Sequence, residues 1–240
     1  EITAINKVSL NDVVMGISSA GMMRYLADMD CHPATSLLAA VPVSLRPEGN
    51  TDMTNQVSMA RMSLASTIKD PIERLHAIRE ASGSVKAVMN EMKTQLPTDF
   101  PSIGAPWMIS AVANILGRSR LANSMPAFAN VVISNVPRPN ITLYFAGAKQ
   151  ISTYPVSIPY HGMALNITLQ GYNGWLDFGL IGCRRAMPDI ENLAGYMQAA
   201  HKELLQRSRE LVPATPTKAP AKAAAKKAKP AAKSKKRAAP

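Results

Sequence analysis

Apolar positions along the chain change spacing several times, and each change marks an expected element. Ser9 can cap a helix with Asp12 three residues on, and Leu10, Val13, Val14, Ile17 and Met22 form one apolar stripe reaching about Asp28. Leu37 to Leu45 is a short apolar run between Pro33 and the turn-forming stretch Arg46 to Asn50, and Gln56 to Ala65 is a second extended candidate able to pair with it. Asp70, Pro71 and Glu73 supply cap, first-turn proline and acid for a long helix carrying Ile72, Leu75, Ile78, Val85, Val88, Met89 and Met92. Gly83 inside it marks either a bend or close packing. A mostly apolar helix is expected from about Trp107 to Leu121.

Extended material dominates afterwards. Val131 to Ile133 is a β-branched run suited to a strand buried on both faces. Met163 to Gln170 alternates, with Leu165, Ile167 and Leu169 opposite Asn166 and Thr168. Asn173-Gly174 offers a two-residue turn returning Trp175 to Ile181 antiparallel. The last helix begins near Pro188 and carries Ile190, Leu193, Met197, Ala200, Leu204 and Leu211 at helical spacing. The expected fold is α/β, a mixed sheet covered by helices.

Charge changes this picture only at one end. Of 27 Lys and Arg, nine follow Glu210 with no acid among them, which leaves 18 basic against 16 acidic residues in the body. Residues 1–212 are thus expected to form the folded domain, and residues 213–240 a disordered Ala/Lys/Pro tail without the apolar residues that could offset ordering entropy. That tail either solubilises the chain or draws it to a polyanion such as anionic lipid. Nucleic acid fits poorly, because the body has no basic stripe. No stretch approaches the roughly 18 uninterrupted apolar residues of a spanning helix, so any membrane or lipid-droplet contact is expected to be peripheral. Nothing after Glu1 reads as a signal peptide, and Cys31 and Cys183 have neither zinc nor redox spacing. Both read as free thiols in a reducing, cytoplasmic compartment.

Histidine is the usual proton-transfer group near neutral pH, and the chain has four. His32 precedes a proline, His76 and His201 sit in amphipathic helices, and only His161, in Tyr160-His161-Gly162, lies beside a glycine and extended segments. None has a second ligand or orienting carboxylate at a recognisable spacing, and no metal site is expected. Phosphate-loop, dinucleotide, serine-elbow and zinc-protease motifs are missing. The 14 methionines suit core gaps better than a binding groove. Two polar pairs remain: Asn11-Asp12 in the first turn of a helix, where a cap explains Asp12 but is not needed from Asn11, and Ser134-Asn135 at the end of a buried strand.

Taken in order, Asn-Asp-Val-Val-Met at 11–15, Val-Pro-Val-Ser-Leu-Arg-Pro at 41–47, Gly-Asn at 49–50, Ser-Asn-Val-Pro at 134–137, Leu-Tyr-Phe-Ala-Gly-Ala at 143–148, Tyr-Pro-Val-Ser at 154–157 and Ala-Leu-Asn-Ile-Thr at 164–168 resemble one family. So do Gly171 to Gly179 and Pro188-Asp189. The family is the wax ester synthase/diacylglycerol acyltransferases, and the resemblance is to their carboxy-terminal domain. It implies one lobe of a chloramphenicol acetyltransferase-like fold, working with an amino-terminal catalytic lobe. The implied reaction moves a fatty acyl group from acyl-CoA, a substrate and not a cofactor, to diacylglycerol or a long-chain alcohol. The implied base is the second histidine of a His-His-x-x-x-Asp-Gly motif, which none of the four histidines here occupies. By the same resemblance Asn11 is a possible oxyanion donor and Asp12 a structural support. Ser134, Asn135, His161, Asn166 and Thr168 become substrate-channel candidates, and Arg138 stands where the family usually has glycine. A different reading of the same fold is a non-catalytic module tethered to anionic surfaces by its tail.

Overall fold

The computed structural model describes residues 1–44, 57–95, 127–136, 141–160 and 162–212. A short helix, α1 (Ile2–Asn6), leads into α2 (Leu10–Asp28), then strands β1 (Leu38–Ser44) and β2 (Val57–Ser63) and helix α3 (Pro71–Gln95). After β3 (Val131–Val136) come a small hairpin of β4 (Tyr144–Phe145) and β5 (Ala148–Lys149), the longer hairpin β6 (Leu165–Tyr172) and β7 (Trp175–Gly182), and helix α4 (Ile190–Glu210). The expected helix at Trp107–Leu121, Arg138 and the tail 213–240 lie outside the described residues.

The five-stranded sheet has the order β2-β1-β3-β6-β7. β1, β3 and β6 run parallel, while β2 and β7 are antiparallel to their neighbours at the two edges. The β-branched run fixes the centre: Val131, Val132 and Ile133 are all buried. The turn at Asn173-Gly174 has positive φ at both residues, 48° and 82°, as a primed hairpin turn requires.

Among the described residues, helices cover one face only. Ala39, Val131, Ile133, Leu165, Ile167 and Leu169 project into a core shared with Val13, Ile17, Leu75, Ile78, Leu193, Met197 and Leu204. Asp70 starts α3 as expected, its carboxylate accepting from the Ile72 and Glu73 amides at 2.9 and 3.0 Å. α2 departs from a simple stripe. Every residue from Asp12 to Ser19 is buried, whereas Leu10 is half exposed, so α2 is a central helix enclosed by the sheet and by α3 and α4. Buried Ser19 meets its polar requirement by donating to the Leu64 carbonyl at 2.9 Å.

Glycines permit this enclosure at particular points. A Cβ at Gly21 would lie 2.6 Å from Met197 Cγ and 3.2 Å from the Met197 nitrogen, so α2 and α4 touch through that position. Gly83 has open space around it, which excludes close packing as its reason. Among the described residues most methionines serve the core, as Met15, Met22, Met62, Met187 and Met197 do, while Met29 is exposed. Leu211, expected on the apolar face of the last helix, lies just past its end and is exposed.

The other sheet face carries a small apolar group of Ala40, Ala129 and Val132 at one end. Beyond it the register aligns Ser134 with Thr168, Thr168 with Gly179, and Gln170 with Asp177. Asn166, Thr168 and Gln170 are buried there, so β6 is enclosed on both faces although one face is polar. A strap of chain, residues 151–160, covers this polar face.

Candidate functional site

In open sheets with parallel strands, sites form beyond the carboxyl ends of those strands. Here the carboxyl end of β3 meets the first turn of α2. The Asn135 side-chain amide donates to Asn11 Oδ1 at 2.7 Å, joining the two polar pairs singled out in the sequence. With its oxygen occupied, Asn11 keeps its own NH2 group unpartnered among the described residues and exposed at this edge. Ser134 is half-buried one residue back along β3.

Asp12 faces the other way. Its Oδ2 accepts from the Ser9 amide at 2.8 Å and the Ser9 hydroxyl at 2.7 Å, while Ser9 Oγ accepts from the Asp12 amide at 3.2 Å. This is a reciprocal capping box that satisfies otherwise orphan donors and sets a carboxylate at the positive end of the helix. Asp12 is buried, and its second oxygen has no hydrogen-bond partner among the described residues. Burial and hydrogen bonding make Asp12 an anchor of the turn that displays Asn11.

An apolar groove of about 770 Å³ opens next to that turn. Leu10, Val13, Ile17, Leu176, Phe178 and Met197 line it, Tyr154 and Trp175 flank it, and His201 and Lys202 supply polar atoms. His201 has no hydrogen-bonding partner among the described residues, so nothing orients it as a base. A second groove of about 440 Å³ lies near the other end of α2 and includes Cys31, Ala164 and Met187. Cys31 and Cys183 are both exposed and free. Backbone amides of Ala186 and Arg185, with the Arg185 charge, hold the Cys183 thiol below the ordinary range for cysteine.

The remaining channel candidates divide. Asn166 and Thr168 lie beneath the strap: Asn166 donates to Ser157 Oγ and to the Ile158 carbonyl at 3.2 Å each, and Thr168 donates to Asn166 Oδ1 at 2.7 Å. Neither lines the groove beside Asn11. His161 lies outside the described residues. No group of metal-ligating side chains occurs among the described residues.

The WS/DGAT C-terminal domain profile matches residues 53–205. A Mycobacterium tuberculosis protein named as a diacylglycerol O-acyltransferase is 38% identical over 197 residues, which are 82% of this chain and 43% of that protein. The chain belongs to the WS/DGAT family. The O-acyltransferase WSD of Acinetobacter baylyi is 35% identical over 80% of this chain and 40% of its own length. The solved wax ester synthase/diacylglycerol acyltransferase of Marinobacter aquaeolei superposes with a TM-score of 0.64 at 29% identity, covering 87% of this chain and 46% of that one. An epimerization domain of tyrocidine synthetase shares the fold alone, with a TM-score of 0.51 at 11% identity. The chain therefore spans less than half the length of the WS/DGAT relatives it matches, and corresponds to a carboxy-terminal part of them.

Sequence reasoning missed three features of the site. It did not pair Asn11 with Asn135, which are 124 residues apart. It did not foresee buried Gln170, nor Tyr172, whose hydroxyl accepts from the Leu143 amide at 3.1 Å and donates to the Gln150 carbonyl at 2.8 Å. The alternation of Thr, Pro, Ser and Pro with large apolar residues over 153–160 was the available signal for the strap.

Proposed function

We propose that this chain is the second lobe of an acyl-CoA-dependent O-acyltransferase that makes triacylglycerol or wax ester, completed by an amino-terminal lobe that supplies the base. The observation that carries this reading is the Asn11 amide, pinned by Asn135 so that its NH2 faces the carboxyl edge of the sheet. In the reaction the base removes the proton of an alcohol hydroxyl, and that oxygen attacks the thioester carbonyl carbon. Negative charge develops on the carbonyl oxygen, where the Asn11 N–H donates. Collapse breaks the carbon–sulfur bond, and the departing CoA thiolate takes the proton from the base. No cofactor enters this scheme. The apolar groove starting at Leu10, next to Asn11, suits a hydrocarbon chain of acyl donor or acceptor.

The purified 240-residue chain, given palmitoyl-CoA and dioleoylglycerol, is expected to release no CoA thiol above a protein-free control. Robust release would place a base within the chain and direct attention to His161.

No described helix is long and apolar enough to cross a membrane. Peripheral attachment to anionic membrane or lipid-droplet surfaces, through the nine cationic residues that follow Glu210, fits a water-insoluble acceptor. Binding to phosphatidylserine vesicles is expected to weaken as salt rises and on deletion of residues 213–240, with no fall in melting temperature. Unchanged binding after the deletion would move the contact onto the folded body.

A further inference from the structure

The groove of about 440 Å³ lies at the end of α2 remote from Asn11. Met22, Leu26, Met29, Leu37, Leu165 and Met187 supply its apolar walls, and its described lining residues include no Asp, Glu, His, Lys or Arg. Three of the six wall residues are methionines, whose unbranched thioethers adapt to the shape of a flexible chain.

Hydrogen bonds fix these walls. The Cys31 amide donates to the Leu26 carbonyl at 2.9 Å, folding the chain back at the end of α2, and the Cys183 amide donates to the Ala164 carbonyl at 2.8 Å. The Leu37 amide donates to Ser66 Oγ at 2.9 Å and the Leu38 amide to Asn130 Oδ1 at 2.7 Å. The concavity is therefore built into the fold, as small-molecule sites usually are.

One polar group inside is left over. Tyr25 is only 5% exposed and lines the groove, yet its hydroxyl has no hydrogen-bond partner among the described residues. A buried phenol ordinarily has one. The unpartnered side-chain atoms sealed from solvent are Asn6 Oδ1, Asp12 Oδ1 and Ser18 Oγ, so the Tyr25 hydroxyl meets open space, and the open space beside it is the groove. Ser36 on the same wall differs, because its Oγ accepts from the Ser63 hydroxyl and the Ser66 amide at 3.0 Å each.

These features select a ligand. A carboxylate or phosphate held here would lose its hydration with no cation to offset the loss. A plain hydrocarbon would fill the walls and leave the Tyr25 hydroxyl unpaired. An uncharged chain ending in a single hydroxyl satisfies both.

We infer that this groove binds a long-chain alcohol, with the alcohol hydroxyl hydrogen-bonded to Tyr25. Asn11 and Tyr25 stand about 21 Å apart along α2 at a rise of about 1.5 Å per residue, so the site is distinct from the edge that displays Asn11. The inference does not use the proposed reaction.

The test is protection of Cys31, an exposed thiol on the groove wall, from alkylation by N-ethylmaleimide in the 240-residue chain. Cys183 is also exposed but is not a lining residue, and serves as the internal control. 1-Dodecanol at about ten times its Kd is expected to slow alkylation of Cys31 about tenfold and leave Cys183 unchanged. Dodecanoate at the same concentration should protect neither. Tyr25→Phe removes only the unpartnered hydroxyl, so the melting temperature should hold while the Kd for dodecanol rises about threefold to tenfold. Ala186→Trp, at an exposed lining position, should close the groove and abolish protection without lowering the melting temperature. Equal protection by dodecanol and dodecanoate overturns the inference, as does an unchanged Kd in Tyr25→Phe. So does protection that persists in Ala186→Trp, or protection without lipid that grows with protein concentration and makes a second copy the occupant. Alkylation of Cys31 that dodecanol does not slow at its solubility limit overturns it as well.

Discussion

Asn11→Ala in the full-length protein is expected to lower turnover by about 100- to 1000-fold, the loss seen when one oxyanion donor is removed. Ser9 and Asp12 complete the capping box between themselves, and Asn11 is exposed, so helix initiation does not use its side chain. Its one side-chain hydrogen bond among the described residues, accepted from Asn135, orients the amide and leaves the donor side open there. Stability should change by about 0.5 kcal/mol or less, as for a surface position, while kcat falls and KM moves little. Asn135→Ala should fall in the same direction by a smaller factor. The double variant should be no worse than Asn11→Ala alone, because Asn135 acts only through Asn11. Asp12→Ala should behave oppositely, costing about 1 kcal/mol of stability through the lost cap and dipole contact, with activity per folded molecule unchanged. Steady-state acyl transfer and thermal unfolding on all four variants check this pattern. Near-normal turnover in Asn11→Ala would reduce the residue to ordinary surface chemistry.

Gly21→Ala is expected to destabilise the lobe by about 1 to 3 kcal/mol, the usual range for forced overpacking. The added methyl would meet Met197 Cγ at 2.6 Å and the Met197 nitrogen and Cα at 3.2 and 3.3 Å. The flexible end of Met197 can turn aside, but the backbone of α4 can yield only by separating from α2. Each kcal/mol should lower the melting temperature by about 2 to 4 °C in a domain of this size. Gly195→Ala, in α4 but with open space around it, supplies the contrast. It should raise stability by about 0.5 to 1 kcal/mol through helix propensity. If Gly21→Ala melts with the parent protein, the close approach of α2 and α4 is not a constraint on the fold.

What the sequence exposed, and what it hid, follows from the range of the interactions involved. Caps, the first-turn proline and the Asn173-Gly174 turn act within four residues, and α2, α3 and the β6–β7 hairpin form where those signals stand. The buried strand β3 was legible from its β-branched run because burial on both faces leaves no polar alternation. Long-range facts were not. Burial of Ser18, Ser19, Asn166 and Gln170 depends on what packs over them from distant segments, and a period of two cannot say whether a polar face meets water or a strap. At the site, each member of the Asn11–Asn135 pair was visible singly through its family motif. Their hydrogen bond depends on α2 reaching the carboxyl end of β3, which only the sheet order determines.

The most direct test of the central claim is product formation by the full-length gene product from radiolabelled palmitoyl-CoA, with dioleoylglycerol or hexadecanol as acceptor. The expected result is labelled triacylglycerol or wax ester formed in step with CoA release, absent when the 240-residue chain is assayed alone. A folded full-length protein that forms neither lipid, while leaving palmitoyl-CoA intact, would contradict it.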